Sequence, residues 1–343
     1  MKNISTNLAL NMLSSGIKNL LAGKPLAISF EITHSCNANC SHCDKDGFIP
    51  NEKLAPPEKF NELYLQLRPL FAQVSGGEPL LRKDYLDIVK LFRSHGTMPM
   101  ISFVSNASLM TPEKYKELTE AGVNQFSFSL DMPDERHDQN RQISGLFKHL
   151  STIVPQMTAL GFHNITMICV IRKQSLPYLI DIARTAFKWN ASIIFSSYTA
   201  LRTHSEEHSL RTREELQLLR QQIDKLIEMR RQGAPIYNTE TVFKGMIQFF
   251  ETGNIPNCKT GIRHLVVNPD GSLVPCAMHK ISFASQSDLI EKFTKHNTCG
   301  SCYVPLRANS ELSFGALWND MVMDYVKKRF LQPAGNGAWK TGN

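Results

Sequence analysis

The stretch "CNANCSHCD" places Cys36, Cys40 and Cys43 within eight residues. Thiolates are metal ligands, and a single tetrahedral ion wants four donors. Structural zinc sites usually draw on two separated ligand pairs. Three sulfurs in one tight loop suit instead an iron–sulfur cubane, whose irons each take one thiolate. One iron then has no ligand from the protein. A zinc knuckle completed by His34 or His42 is the competing assignment. A second group, Cys258, Cys276, Cys299 and Cys302, supplies four thiolates, enough for one fully ligated cluster or for a structural zinc ion. A closed cluster cannot bind substrate without losing a ligand, so it is suited to moving an electron. The remaining cysteine, Cys169, lies in the apolar run "ITMICVI" and is expected as a small buried hydrophobe.

The elements around these groups follow a regular alternation. "LAISFEI" (26–32) reads as a strand that ends just before the first cysteine loop. "FAQVSGG", "MISFVSN", "NQFSFSLD", "ITMICVI" and "SIIFSSY" read as further strands, with helical segments between them. One such helix, "TPEKYKELTEAG", has Thr111 as N-cap, Pro112 in its first turn and Gly122 at its end. Another, "GLFKHLSTIVPQMTALG", is expected to kink at Pro155. Strands alternating with helices imply an α/β fold with a parallel sheet. Six units are too few for the usual eight-unit barrel, so the expected fold is a partial (βα)6 TIM-like barrel, open on one side. In such barrels the chemistry sits at the C-terminal strand ends. The unusual polar groups fall there: the cysteine loop, Ser75-Gly76-Gly77-Glu78, Ser105-Asn106, Ser129 and Asp131.

The expected organisation is an N-terminal helix over 1–25, the partial barrel over 26–200, bridging helices over 201–250, a small cysteine-rich module over 251–330 and a tail over 331–343. The bridge contains the charged helix ending at Arg231 and Gly233, and the module ends in the helical stretch "GALWNDMVMDYVKKRF".

The cysteine spacing, with "GGEP" one strand later, resembles the radical S-adenosylmethionine (radical SAM) superfamily, and the resemblance runs along almost the whole chain. It implies a [4Fe-4S] cluster on Cys36, Cys40 and Cys43, whose open iron binds S-adenosylmethionine exchangeably. It implies that Ser75, Gly76, Gly77 and Glu78 hold the methionine amino group, with close backbone approach at the glycines and the carboxylate facing the ammonium. Asn106, Ser129 and Asp131 match positions facing the ribose and its neighbours, Arg141 an arginine that meets the methionine carboxylate, and His42 an aromatic beside the adenine. Three departures stand out: Asp131-Met132 and Arg141-Gln142 replace the commoner "DG" and "RG", and "SNA" at 105–107 replaces "NG". The second cysteine group resembles the auxiliary-cluster region of the twitch or shortened SPASM kind, which implies a second [4Fe-4S] cluster. The activity implied is reductive cleavage of S-adenosylmethionine and hydrogen abstraction by a 5′-deoxyadenosyl radical, with oxidation through the auxiliary cluster. A flavodoxin or ferredoxin is the implied reductant.

The chain has 343 residues, 42% of them hydrophobic and 20% charged, with a net charge of +7. That mild basic excess is not a nucleic-acid signature. No apolar run approaches the roughly 20 residues of a membrane span. The apolar positions of "NLALNMLSSGIKNLLAG" suit a helix packed on the domain, or one making peripheral membrane contact. Without a secretory signal, metal-binding cysteines in a reducing cytoplasm fit better than a disulfide framework. The first strand begins near residue 26, which leaves no room for an N-terminal peptide-recognition domain. The expected substrate is therefore a small organic molecule: a sugar or alcohol, a tetrapyrrole side chain or a lipid. A peptide-modifying enzyme and a non-catalytic zinc-stabilised binding protein are the alternatives. Tyr198, Arg202, Arg263, His264 and His279 are candidates for the barrel mouth, as substrate contacts or proton carriers. His204 and His208, four apart, are candidates to share a helix face.

Overall fold

The computed structural model describes residues 6–45 and 47–312. Strands β1 (Ala27–Thr33), β2 (Phe71–Gly76), β3 (Met100–Ser105), β4 (Gln125–Ser129), β5 (Ile165–Ile171) and β6 (Ser192–Ser197) each lie parallel to the one before. Helix α1 (Thr6–Leu21) precedes them; α2 (Pro57–Leu67), α3 (Tyr85–Arg93), α4 (Pro112–Ala121), α5 (Arg136–Arg141), α6 (Leu146–Ala159) and α7 (Leu179–Lys188) lie between them in sequence. This is the α/β partial barrel expected from the alternation. Thr111 caps α4 by accepting the Lys114 N–H, and Gly122 ends it in the left-handed region. Helix α6 continues through Pro155.

After β6 come α8 (Arg213–Arg231) and α9 (Glu240–Thr252), then β7 (His264–Val267), β8 (Leu273–Val274), α10 (Gln286–Lys292) and α11 (Pro305–Ser310). The sheet order is β6-β5-β4-β3-β2-β1-β7-β8. Thus β7, from the cysteine-rich stretch, extends the barrel sheet beside β1. The same stretch reaches the other edge, where Ser197 Oγ donates to Tyr303 O at 2.6 Å and Thr199 Oγ1 to Ser301 O at 2.5 Å. The helix expected over 315–330 and the tail over 331–343 lie outside the described residues. Among the described residues, no helix is long and apolar enough to cross a membrane.

The two faces of the sheet differ in chemistry. Ile28, Phe30 and Ile32 of β1, and Met167, Cys169 and Ile171 of β5, belong to the apolar core shared with the helices. Phe30 meets Phe92 at 4.7 Å between ring centroids and Phe60 at 6.4 Å. Burying each such ring contributes about 1.5–3 kcal/mol. The alternate residues face the lumen, and many are polar. Ser29 Oγ lies 2.7 Å from Ser75 Oγ and accepts from Gln73 Nε2, while Gln125 Nε2 donates to Thr166 Oγ1 at 3.2 Å. A closed eight-stranded barrel fills this space with branched apolar side chains. Here the inner face is a hydrogen-bonding wall.

Candidate functional site

The first cysteine loop rests on the glycines that follow β2. Gly77 N donates to Thr33 O at 2.8 Å and Glu78 N to Ser35 O at 2.9 Å. A Cβ on Gly76, whose φ is 140°, would overlap Thr33 O, and one on Gly77 would overlap the carbonyl oxygens of His34 and Ser35. The close approach these glycines allow is therefore to the backbone that carries Cys36. Glu52 holds the same turn through His34 N and Ser35 Oγ, and Cys36 N donates to Gly47 O at 2.8 Å.

Each sulfur of the loop faces an N–H group from a different element. Asn106 Nδ2 lies 4.0 Å from Cys36 Sγ, Arg141 Nη1 3.8 Å from Cys40 Sγ, and Arg202 Nη1 3.5 Å from Cys43 Sγ. Burial pushes the Cys36 thiol up to about 11 and raises that of Cys40. A bound metal reverses this cost, because a coordinated thiol deprotonates outright. Among the described residues only Cys258, His264 and Glu311 bring three such ligand atoms within 4.8 Å of one another. Three thiolates in one loop would supply one ligand each to three irons of a cubane and leave its fourth iron without a protein ligand. The donor set fits a cubane.

Glu78 follows β2 in the turn packed on the cysteine loop. It is fully buried, and its carboxylate accepts from Ser105 Oγ at 2.8 Å, Leu80 N at 3.2 Å and Asn106 N at 2.8 Å. Desolvation raises its pKa to about 7 against those hydrogen bonds. It ties the end of β3 to the turn after β2, and so holds Asn106 beside Cys36. Ser75 is engaged with Ser29, while Ser129 ends β4 half-buried.

Asp131 is fully buried, ion-paired to Arg141 Nη2 at 2.6 Å, and accepts from Val170 N at 3.0 Å. Desolvation opposes its charge, but the Arg141 and Arg172 guanidinium groups hold its carboxyl well below the usual range. His42 lies 3.9 Å from Asp131 Oδ2, and its buried Nδ1 has no hydrogen-bond partner. Burial keeps it neutral by driving its pKa well down. His137, fully buried, accepts the Asp131 N–H at Nδ1 and leaves Nε2 unpartnered.

The remaining candidates separate. Tyr198 is buried, with its hydroxyl 2.7 Å from Thr203 Oγ1 and donating to Ser205 O. Arg202 reaches Cys43 and Asp44. His204 and His208 do not share a helix face, because 201–208 are turns. His204 is exposed, whereas His208 is buried with its ring 5.5 Å from Tyr198 and 6.4 Å from His42. Arg263 and His264 do not reach the mouth. His264 opens β7 opposite Ala27, the first residue of β1, at the far end of the strands from the cysteine loop. It lies 3.1 Å from Ser310 Oγ, and burial drives its pKa down to about 3.

His279 belongs to the second cysteine group, where it hydrogen-bonds Cys299 and lowers that thiol's pKa. Burial pushes Cys258 up to about 12 and Cys276 up to about 11. Arg307, fully buried, lies 3.9 Å from Cys302 Sγ and donates to Cys302 O and Ile255 O. The compact trio of Cys258, His264 and Glu311 is committed elsewhere, since Glu311 accepts from Lys259 N and from Arg307 Nε. Sequence reasoning missed Glu31, Lys45 and Arg172. Glu31 faces the lumen with Lys45 Nζ and His34 Nε2 each 2.8 Å from its carboxylate, a link no local pattern signals.

Residues 30–186 match the family described as the radical SAM superfamily. The chain is 30% identical over 167 residues to the AdoMet-dependent heme synthase of Methanosarcina barkeri, covering 47% of this chain and 43% of that protein. It is 28% identical over 189 residues to the GTP 3′,8-cyclase of Limosilactobacillus fermentum, covering 52% and 56%. The chain spans about half the length of these curated relatives. Streptococcus suis SuiB bound to S-adenosylmethionine superposes with a TM-score of 0.63 at 13% identity, over 85% of this chain and 72% of that one. SuiB bound to precursor peptide SuiA gives 0.60 at 12% identity, over 93% and 70%. These two likenesses show a shared fold.

Proposed function

We propose, from the premise that this chain carries a radical SAM domain over residues 30–186, that it abstracts hydrogen from a polar small organic substrate held in the barrel lumen. Its superfamily relatives are enzymes that use a [4Fe-4S] cluster and S-adenosylmethionine. The observation that carries the reading is the three-cysteine loop at the end of β1. It offers three thiolates, and each faces an N–H donor from another element.

Cys36, Cys40 and Cys43 would hold the cluster. When bound, the cluster supplies the electron that breaks a carbon–sulfur bond of S-adenosylmethionine and yields a 5′-deoxyadenosyl radical. The chain's own residues bind and orient. Asn106, Arg141 and Arg202 offset the negative charge of the thiolates. Asp131 fixes Arg141, and Glu78 fixes Asn106. Ser129 and His42 stand on the same rim for contacts to the ribose and adenine. The polar wall formed by Ser29, Gln73, Ser75, Ser127 and Thr166 favours a sugar or alcohol over a lipid. The second cysteine group would hold an auxiliary [4Fe-4S] cluster, which would take up the electron lost when the substrate radical is oxidised. Reduction by a flavodoxin or ferredoxin in the cytoplasm completes the reading, and the unpaired state of all eight cysteines suits that compartment.

Anaerobic reconstitution tests this. About eight iron atoms per chain are expected from two cubanes. Dithionite with S-adenosylmethionine should give 5′-deoxyadenosine, and Cys36→Ala should give none. Zinc in place of iron at the second group would restrict the reading to one cluster; zinc at both would leave a binding protein. A peptide is the second reading, favoured by the shared fold with peptide-bound SuiB. Deoxyadenosine formation above the uncoupled level with peptides, but not with polyols, would select it.

A further inference from the structure

Arg172 follows β5, is fully buried, and among the described residues none of its three guanidinium nitrogens has a hydrogen-bond partner. Residues Ile165, Met167, Cys169 and Ile171 enter the outer apolar core, so the alternation puts Thr166, Ile168, Val170 and then Arg172 on the lumen side. Its backbone is locked in place: Arg172 N donates to Ser175 Oγ at 3.1 Å, and Ser175 Oγ donates to Val170 O at 2.8 Å. Asp131 feels its charge but is committed to Arg141 at 2.6 Å. Two buried guanidinium groups therefore share one carboxylate.

The unpaired atoms gather here. Among the described residues, His42 Nδ1, His137 Nε2, His208 Nε2 and Arg141 Nε are also buried without partners. A buried guanidinium with no hydrogen bonds and only a shared carboxylate nearby is costly to keep. Native proteins keep such groups for a ligand, an ion or ordered water. Here the open groups centre on five guanidinium N–H donors. They ask for an acceptor with negative charge.

We propose that Arg172 is the receptor for an anionic oxygen group, a carboxylate or phosphate, carried by the substrate. This rests on the reading that the lumen takes the substrate. The methionine carboxylate of S-adenosylmethionine has the same chemistry and is the other source. The proposal narrows the substrate to a polar molecule with an acidic group, such as an acidic or phosphorylated sugar.

Thermal melts of the reconstituted full-length protein test the receptor, with sodium phosphate or acetate replacing chloride at constant ionic strength. Wild type should be stabilised saturably by phosphate or acetate. Arg172→Met should melt above wild type without these anions and should not respond to them, while Arg172→Lys should keep a weaker response. A wild type indifferent to both anions, or an Arg172→Met protein that melts lower and still responds, overturns the site. If Arg172→Met does not fold, Arg172→Lys must show the weaker response, and an undiminished one overturns the site.

Equilibrium dialysis with S-adenosylmethionine and its decarboxylated analogue separates the sources. Unchanged affinity for both in Arg172→Met supports a substrate-borne anion. A loss of about tenfold or more for S-adenosylmethionine alone assigns the contact to that cofactor and overturns the substrate source. Iron content and deoxyadenosine formation in the same wild-type preparations report separately on the radical reading, so the two can fail independently.

Discussion

Lys280 Nζ stands 3.2 Å from Asp44 Oδ2, joining the residue after Cys43 to the segment just past Cys276. Arg202 approaches the same carboxylate from the loop after β6, with Nε 3.5 Å from Asp44 Oδ1. Segments next to the two cysteine groups, far apart in sequence, are thus linked through one aspartate. The two cations differ in what else they touch. Lys280 is largely solvent-exposed, whereas Arg202 also faces Cys43 Sγ at 3.5 Å.

That difference gives the first prediction. Lys280→Ala should change stability by less than about 1 kcal/mol, as exposed ion pairs do. Arg202→Ala should lower the midpoint potential of the first cluster, since a cationic donor near a thiolate favours the more negative, reduced state. A redox titration followed by EPR reads the effect. Equal potentials in wild type and Arg202→Ala would show that the 3.5 Å contact does not tune the cluster.

Gly77→Ala should impair cluster assembly. The added methyl would overlap the His34 and Ser35 carbonyl oxygens, so the chain leading to Cys36 must shift. Iron per chain after reconstitution should fall, while Gly233→Ala, strained but far from any contact, should keep full iron. Full iron in Gly77→Ala would mean that the loop tolerates displacement.

Glu31 should make the fold acid-sensitive. Burial opposes its charge, but His34 and Lys45 lower its pKa from 4.5 to about 2. The native carboxylate stays ionised where the unfolded one is protonated. Its stabilisation is therefore complete above about 4.5 and is lost as pH falls toward 2. Glu31→Gln should cost up to about 3 kcal/mol at pH 7, with the gap to wild type closing in that acid window. Urea unfolding at pH 7 and pH 3 measures it; a gap independent of pH would refute the ion pair's role.

Glu78 should act with the opposite sign. Desolvation raises its pKa from 4.5 to about 7, so the native state holds a proton that the unfolded chain releases. Its contribution is complete below about 4.5 and is lost as pH rises through 7. Relative to Glu78→Gln, wild type should lose up to about 3 kcal/mol between pH 4 and pH 8. Stability curves of the two proteins that run parallel across this range would show that Glu78 titrates normally.

Local signals carried much of the fold and part of the site. Alternating strand and helix patterns, the Thr111–Gly122 caps and the spacing of Cys36, Cys40 and Cys43 are properties of short segments, and each is visible without neighbours. The chain could not reveal by spacing that β7 would lie beside β1, because a four-residue apolar strand has no preference for one sheet edge over another. Nor could it reveal the partners of Glu78 at the end of β3, or the descent of His264 to the start of β7. Arg172 is the clearest case. In sequence it is an ordinary basic residue after a strand. Only the folded barrel turns it inward, removes its water and spends the nearby carboxylate on Arg141. Short-range patterning determined which residues could form the elements and bind metal; tertiary packing decided which charges were left without a partner, because pairing depends on distances between segments that the linear order does not contain.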